Sequence, residues 1–241
     1  MARRLERLGE SVILYDDSLA SHIGPALFDP ANWPDAEVAP GYAGGRGSTL
    51  FIEHAGQQWV LRHYHRGGFM GRWLDDEFPW LGLAHSRAFR EWELLHWMQE
   101  RSLPSPRPVA AHVRRRGLIY RADLVTVRIP DVRPLSTRLA AGPLPPAGWA
   151  AVGELIARFH AEGVFHADLT AHNIQIDSQG RLYLLDFDRG RRMPRPGRWQ
   201  RRNLDRLQRS LRKISGGGIE FAEEHWQALL DAYRDSNAGD R

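Results

Sequence analysis

The segment from residue 164 to 190 constrains the fold of this chain most strongly, because polar residues and short apolar runs alternate in it at fixed spacing. Its polar residues follow the pattern His-x-Asp-x-x-x-x-Asn, which is formed by His166, Asp168 and Asn173. Two apolar runs, 174–176 and 182–185, come next and are separated by a turn-forming Ser-Gln-Gly. This arrangement predicts a β-hairpin that returns the chain to the polar loop, so that Asp186 lies beside Asn173.

Carboxylate and amide groups at this spacing are typical of enzymes that transfer a phosphoryl group. In kinases a loop aspartate receives the proton of the acceptor hydroxyl, and an asparagine five residues later helps to hold Mg²⁺. The pattern therefore predicts Asp168 as the catalytic residue and Asn173 and Asp186 as metal ligands, because Mg²⁺ prefers oxygen donors. We expect His166 to support the loop structurally. The alternative is a polar loop that only caps a hairpin, and the second aspartate after the two apolar runs argues against it.

A glycine-rich stretch lies upstream, at residues 44–49, and precedes two apolar runs that are typical of another hairpin. Because glycine has no Cβ atom, such a turn lets backbone N–H groups approach phosphates closely. The stretch predicts nucleotide contacts from the residues Gly45, Gly47 and Ser48. A plain β-turn would contain the same glycines, and the sequence alone leaves both interpretations open.

The lysine that kinases use to contact the ATP phosphates is missing from the corresponding strand. Lys213 is the only lysine of the chain and lies far downstream. The strand carries Arg62 instead, and the helix after it carries Glu91, which predicts Arg62 as the phosphate contact and Glu91 as its partner. Glu93 would face another side of that helix and is the weaker candidate. The alternative places Arg62 on the surface of a hairpin.

The order of the predicted elements indicates the fold class. Helical patterns cover residues 86–98, 135–141, 149–160, 204–214 and 220–233, and strand-like runs dominate the first half. This order predicts an α+β protein with a two-lobed, protein-kinase-like fold, in which an antiparallel sheet and one helix precede a mainly helical lobe. We expect residues 1–130 to form the N-terminal lobe with the glycine-rich loop. Residues 131–241 would form the C-terminal lobe with the catalytic loop, the metal-binding hairpin and a basic helix, and ATP would lie between the lobes.

The composition excludes several classes of protein. The chain has 241 residues and no cysteine, which rules out disulfide frameworks, thiolate metal sites and cysteine nucleophiles. We expect no signal peptide, because the basic N-terminus leads into mixed polar sequence, and no run approaches the roughly 20 apolar residues of a membrane span. The net charge is +4 and comes from arginine, which suits binding to phosphates. A solvated arginine-rich surface would have the same composition.

Several longer strings carry a resemblance to a known family. They cover residues 45–49, 60–68, 87–91, 120–124, 166–173 and 185–190. In these strings the chain resembles the Kdo (3-deoxy-D-manno-octulosonic acid) kinases, within the lipopolysaccharide kinase group of the protein-kinase-like fold. The resemblance implies transfer of the γ-phosphoryl group of ATP to the 4-hydroxyl of Kdo on a lipid A precursor. It also implies the roles given above for Asp168, Asn173 and Asp186, and it makes arginine the family's own residue at position 62.

The implied acceptor predicts a location for the protein. A phosphorylated glycolipid in the inner leaflet presents an anionic surface, and such a surface attracts basic residues. The basic run 189–213, which contains a helical apolar stripe, therefore predicts peripheral association with the cytoplasmic face of the inner membrane. A solvated basic helix is the alternative, and no nucleic-acid partner is expected.

Two other functions stay open at this point. A small-molecule phosphotransferase of the antibiotic or choline kinase type shares the His-x-Asp-x-x-x-x-Asn pattern, and a screen of acceptors with ATP would distinguish it. An arginine-rich lipid- or nucleic-acid-binding pseudokinase would explain the basic charge and the missing lysine. The intact Asp168, Asn173 and Asp186 argue against this non-enzyme. A protein kinase is disfavoured, because no Ala-Pro-Glu string follows Asp186.

Overall fold

The computed structural model describes residues 3–39, 49–65, 76–216 and 221–238. The chain divides into two compact units. One unit is Met1–Trp97 together with Pro106–Arg128, and the other is Met98–Ser105 together with Ile129–Arg241. The predicted nucleotide contacts of the glycine-rich stretch lie outside the described residues, and they are Gly45, Gly47 and Ser48.

An antiparallel sheet forms the framework of the first unit. Within the described ranges its strands are β1 (Arg3–Leu8), β2 (Ser11–Asp16), β3 (Glu37–Val38), β4 (Thr49–His54), β5 (Gln57–His63), β6 (Phe78–Pro79), β7 (Pro108–Arg116) and β8 (Ile119–Val127). Their order across the sheet is β1-β2-β7-β8-β5-β4-β3, and β6 pairs with β8. The hairpin predicted after the glycine-rich stretch is confirmed as β4–β5, and β7 and β8 form a second hairpin.

Residues near the N-terminus extend this sheet and cover one of its faces. β2 contains the apolar run 12–15 and is buried along its whole length. β1 is an exposed edge strand, and the sequence did not indicate it because its side chains show no buried alternation. Leu27 and Phe28, in a short 3-10 helix (Pro25–Phe28), pack in one apolar cluster with Ile13 and Trp59 of the sheet.

The helix predicted at 86–98 is observed as α1 (Arg87–Gln99). Its side chains Phe89, Trp92 and Leu95 recur at a spacing of three residues and are buried, as the amphipathic pattern requires. Glu91 lies among them and is buried as well. A buried carboxylate is costly unless a cation and hydrogen bonds compensate its charge, so the position of Glu91 requires a partner.

The second unit contains helices and short strands in its described residues. The helices are α2 (Leu135–Ala140), α3 (Pro146–Ala161), α4 (Arg198–Ser215) and α5 (Glu223–Ala238). The strands are β9 (Arg133–Pro134), β10 (Val164–Phe165), β11 (Ile174–Ile176), β12 (Leu182–Leu184) and β13 (Arg191–Arg192). β12, β11 and β9 form one antiparallel sheet, and β10 pairs with β13. Among the helices described, none is long and apolar enough to cross a membrane.

α3 and α5 pack closely because a glycine lies at their contact. α3 begins with Pro146, whose missing N–H would have had no partner in the first helical turn. Halfway along it, a Cβ atom at Gly153 would overlap the carbonyl oxygen of Leu229 on α5. The absent side chain therefore permits a backbone approach that any other residue would prevent.

Candidate active site

The predicted β-hairpin is present and brings the polar residues at its two ends together. β11 and β12 are antiparallel, with Ile174 opposite Leu184. The pairing continues one residue further, because the backbone N–H of Leu185 donates to the carbonyl oxygen of Asn173 at 2.9 Å. Asp186 therefore directly follows the residue that pairs with Asn173, as the sequence predicted.

Asp186 has an unusual backbone conformation. Its φ is +63°, in the left-handed region, where a residue with a Cβ atom is destabilised by roughly 1–2 kcal/mol. The next residue, Phe187, is buried and contacts the rings of Phe159 and His166 at centroid distances of 5.7 and 4.9 Å. Burial of Phe187 fixes the chain on the C-terminal side of Asp186, and the paired Leu185 fixes it on the other side. Strain of this kind is typical of functional sites.

His166 supports the loop in its neutral form. Its Nε2 donates to the carbonyl oxygen of Leu185 at 2.9 Å, and its Nδ1 accepts from the backbone N–H of Asp168 at 3.1 Å. One ring nitrogen must therefore carry a hydrogen and the other a lone pair. Burial lowers the pKa of His166, which keeps this neutral tautomer populated. These bonds agree with the structural role expected for His166, and they connect the loop to the end of the hairpin.

Asp168 forms an ion pair that the sequence did not reveal. The Nε of Arg206, on α4, donates to Oδ1 of Asp168 at 2.7 Å, and Nη2 contacts the same oxygen. Neither bond uses Oδ2. The side chains of Arg206 and Asp168 are 45% and 44% exposed, so this pair lies where an acceptor from solution can reach it. Arg206 belongs to the basic run 189–213, and nothing in its spacing distinguishes it from the other arginines.

Asn173 stabilises the loop by a hydrogen bond to its backbone. Its Nδ2 donates to the backbone carbonyl oxygen of Asp168 at 2.8 Å. Because the nitrogen is used in this way, Oδ1 is the atom that Asn173 can offer to a cation. The amide therefore fixes the backbone at the predicted catalytic residue and is compatible with the predicted metal-binding role.

A buried network connects the loop to three helices. Asn203 on α4 is 1% exposed, accepts from the backbone N–H of His166 at 3.2 Å and donates to its carbonyl oxygen at 2.7 Å. The Oδ1 of Asn203 also accepts from Nε2 of His160 on α3 at 3.3 Å, and Tyr233 on α5 donates to Nδ1 of His160 at 2.9 Å. Burial lowers the pKa of His160 to about 4. A sequence signal for Asn203 existed, since it lies four residues before Leu207 on the buried stripe of α4.

The predicted pair of Arg62 and Glu91 is brought together in the first unit. Nη2 of Arg62 donates to Oε2 of Glu91 at 2.5 Å and to the hydroxyl of Tyr64 at 3.1 Å. The hydroxyl of Tyr64 donates to the same Oε2 at 2.6 Å, and the guanidinium lies over the tyrosine ring at 4.9 Å. Glu93 pairs instead with Arg3 at 2.8 Å, which agrees with the expectation that it faces another side of the helix. Sequence reasoning missed Tyr64, although it lies two residues from Arg62 on the same side of the strand.

The oxygen donors of the loop suit Mg²⁺. Within residues 3–39, 49–65, 76–216 and 221–238, no group of three or more His, Cys, Asp or Glu side chains is arranged to hold a metal ion. An asparagine oxygen and a carboxylate at Asn173 and Asp186 form a smaller set. Such a set fits Mg²⁺, which usually keeps several waters and takes its other ligands from substrate phosphates. It does not fit a structural zinc site, which needs four protein ligands.

A loop aspartate, an asparagine and a second aspartate on a hairpin, together with a strand arginine paired to a helix glutamate, define a kinase-type phosphotransferase. The particular family follows from comparison with known proteins. The model of the lipopolysaccharide kinase (Kdo/WaaP) family matches residues 32–233, and the chain belongs to this family.

Individual relatives agree with the family. The chain is 42% identical over 231 residues to the 3-deoxy-D-manno-octulosonic acid kinase of Stenotrophomonas maltophilia (strain K279a). It is 43% identical over 230 residues to the protein of the same name from Xanthomonas axonopodis pv. citri (strain 306). In both cases the alignment covers 95% of this chain and 91% of the relative.

Proposed function

We propose that this protein is an ATP-dependent kinase that phosphorylates Kdo in lipopolysaccharide core biosynthesis, at the 4-hydroxyl of a Kdo residue on a lipid A precursor. Membership of the Kdo/WaaP family and the names of both relatives support the reaction and the sugar. The observation that carries the proposal is the loop in which Asn173 and His166 hold the backbone of Asp168. The two-lobed kinase arrangement, with lobes 1–130 and 131–241, is part of the same proposal.

In this reaction Asp168 orients the acceptor hydroxyl and receives its proton. The hydroxyl oxygen forms a bond to the γ-phosphorus of ATP, and the bond from that phosphorus to the β,γ-bridging oxygen breaks, which releases ADP. A carboxylate of ordinary basicity is sufficient, because positioning and charge neutralisation contribute most of the catalysis in phosphoryl transfer. Arg206 positions the carboxylate through Oδ1, which leaves Oδ2 as the oxygen that meets the acceptor.

The proposed nucleotide contacts come from the hairpin after Asp168, from strand β5 and from the glycine-rich stretch. Asn173 and Asp186 would hold Mg²⁺, which neutralises charge on the phosphates when it is bound. Arg62 is the proposed phosphate contact, since a guanidinium has five N–H donors and can bridge Glu91 and a phosphate oxygen. Gly45, Gly47 and Ser48 are proposed to contribute backbone N–H groups to the same phosphates.

We also propose peripheral association with the cytoplasmic face of the inner membrane. α4 buries Trp199 and Leu207 on one side, and its arginines, such as Arg198, Arg201 and Arg202, are exposed. A basic helix face of this kind is attracted to anionic lipid. Flotation with anionic liposomes should fall with added salt and with replacement of these three arginines by alanine, and binding that ignores both would contradict a role of α4.

An acceptor screen tests the proposed reaction against the runner-up. The protein is incubated with ATP, Mg²⁺ and either a Kdo-bearing lipid A precursor, choline or an aminoglycoside, and ADP release is measured. We expect release only with the Kdo acceptor, and Asp168→Ala should abolish it while the fold is kept. Release with choline or the aminoglycoside alone would favour the small-molecule phosphotransferase. No release with any acceptor would favour the pseudokinase.

A further inference from the structure

One end of the sheet in the first unit is formed by three adjacent turns, which we call the β-tip. They are the β1–β2 turn with the last residue of β1 (residues 8–10), the β7–β8 turn with the end of β7 (residues 114–118), and the segment 80–81 after β6. The backbone N–H of Arg115 donates to the carbonyl oxygen of Glu10 at 3.0 Å, and that of Trp80 donates to the carbonyl oxygen of Leu118 at 2.8 Å. Backbone bonds therefore fix the three turns beside one another.

The β-tip exposes large aliphatic side chains. Leu8, Leu81 and Leu118 are 41%, 75% and 82% exposed, and they lie on three different turns. Single exposed leucines are common on protein surfaces, but a group of three at one end of a sheet is typical of an interaction site. Because all three side chains are exposed, packing of the core does not require leucine at these positions.

Arginines lie on or next to the same turns. Arg7, Arg114, Arg115 and Arg116 are all exposed, and in the described part of the chain none of them forms a salt bridge. The guanidinium of Arg115 lies over the ring of Trp80 at 5.0 Å, so an amphipathic indole also belongs to the β-tip. Glu10 is the one carboxylate on the three turns. The β-tip is therefore both apolar and strongly cationic.

We propose that the β-tip is a membrane-contact surface that inserts its leucines into a bilayer of anionic phospholipids. Leucines at projecting turns fit the acyl region, arginines fit the phosphates above it, and tryptophan favours the boundary between the two. A nucleic acid would meet the arginines but would leave the leucines in water. The proposal draws on the proposed function only for the lipid-linked acceptor, and it uses a surface distinct from α4.

The two surfaces differ in their salt dependence. Binding through the exposed arginines of α4 is electrostatic, so salt should abolish it. Insertion of Leu81 and Leu118 adds an apolar contribution, which salt does not screen. We therefore expect binding to anionic vesicles to weaken but persist at 0.5 M salt, an ionic strength at which the Debye length is only about 4–5 Å.

A single fluorescent label can test the insertion directly, because the chain contains no cysteine. The variant Leu118→Cys is labelled with an environment-sensitive dye and mixed with phosphatidylglycerol–phosphatidylcholine vesicles or with phosphatidylcholine alone. Val38→Cys is the matched control, since Val38 is 49% exposed on β3, at the opposite edge of the sheet. We expect a blue shift and protection from an aqueous quencher for the label at 118, only with anionic vesicles, and neither change for the label at 38.

Two results would overturn the proposal. If the protein sediments with anionic vesicles while the label at 118 stays accessible to the quencher, another surface binds the membrane. If the label at 118 is protected in the absence of vesicles at high protein concentration, the β-tip is an interface between copies of the chain.

Substituted variants separate this proposal from the proposed function. Leu81→Ser and Leu118→Ser should each lower the vesicle partition coefficient about tenfold, while Val38→Ser leaves it unchanged. Phosphorylation of a Kdo acceptor dispersed in detergent should be the same in all three variants and in the wild type. Absence of that activity in the wild type would contradict the kinase function without affecting the proposed membrane contact. An unchanged partition coefficient in both leucine variants would contradict the membrane contact alone.

Discussion

The pair of Arg62 and Glu91 gives a prediction whose size follows from the burial of its two members. The side chain of Glu91 is 3% exposed, whereas that of Arg62 is 21% exposed. Replacing Arg62 by Met removes this cation from a carboxylate that is almost fully buried, although the hydroxyl of Tyr64 still donates to it at 2.6 Å. Breaking a buried ion pair by removing one partner costs about 3–5 kcal/mol. We expect Arg62→Met to lower the free energy of unfolding by about that amount.

Replacing the other member of the pair, Glu91, should lower the free energy of unfolding less. In Glu91→Gln the partner left behind is Arg62, which reaches water and still meets the hydroxyl of Tyr64. The loss is then close to that of a charged hydrogen bond, about 1.5–3 kcal/mol. In the double variant both members of the ion pair are replaced, so its loss should be smaller than the sum of the two single losses, by about 1–3 kcal/mol.

Urea unfolding followed by circular dichroism measures these losses, provided that the slope of the free energy against urea is unchanged. Arg3→Met is the matched control. Arg3, on β1, pairs with Glu93, which lies on the same helix as Glu91, but the side chains of Arg3 and Glu93 are 55% and 40% exposed. Such a surface pair contributes about 0–1 kcal/mol. Equal losses in Arg62→Met and Arg3→Met, or a larger loss in Glu91→Gln than in Arg62→Met, would refute the reasoning.

Three further predictions concern the second unit. Arg206→Ala should lower kcat about tenfold or more at nearly unchanged unfolding free energy, because an exposed ion pair contributes little to stability but positions Asp168; unchanged kcat would contradict the positioning role. Gly153→Ala should lower the unfolding free energy by about 1–3 kcal/mol in thermal unfolding, and a wild-type melting temperature would contradict the close contact with Leu229. The contribution of His160 should lower the free energy of unfolding by about 3 kcal/mol between pH 7 and pH 4. The reason is that His160 of the unfolded chain binds a proton below its ordinary pKa of 6.5, whereas the folded one binds it only near its pKa of about 4. An equally steep fall in His160→Gln would contradict this.

The sequence predicted those parts of the molecule that depend on local pattern. The hairpin around β11 and β12 was predictable because two short apolar runs flank a turn, and α1 because its apolar residues recur at helical spacing. The ion pair between Arg62 and Glu91 was predictable for a different reason. A chain with a single distant lysine needs another cation on that strand, and the kinase pattern identifies the position of its acidic partner.

The remaining features depend on contacts between residues distant in sequence. Asn203 and Arg206 contact the loop of His166 and Asp168 from a helix some forty residues downstream, and the chain carries no periodic signal for a contact at that separation. β1, β10 and β13 were missed because strands that bury no face, or have only two residues, lack alternation. The buried state of Asn203 was nevertheless detectable, as a polar residue in line with Leu207 and Leu211.

The mass and linkage of the product show whether this protein phosphorylates Kdo at the 4-hydroxyl. The wild type and the isosteric variant Asp168→Asn are incubated with ATP, Mg²⁺ and a Kdo-bearing lipid A precursor, and the lipid is analysed by mass spectrometry with fragmentation. We expect the wild type to add one phosphoryl group to the 4-hydroxyl of Kdo, and Asp168→Asn to do so at a rate lower by about a thousandfold or more. An unmodified lipid with the wild type, or equal rates for the two proteins, would contradict this expectation.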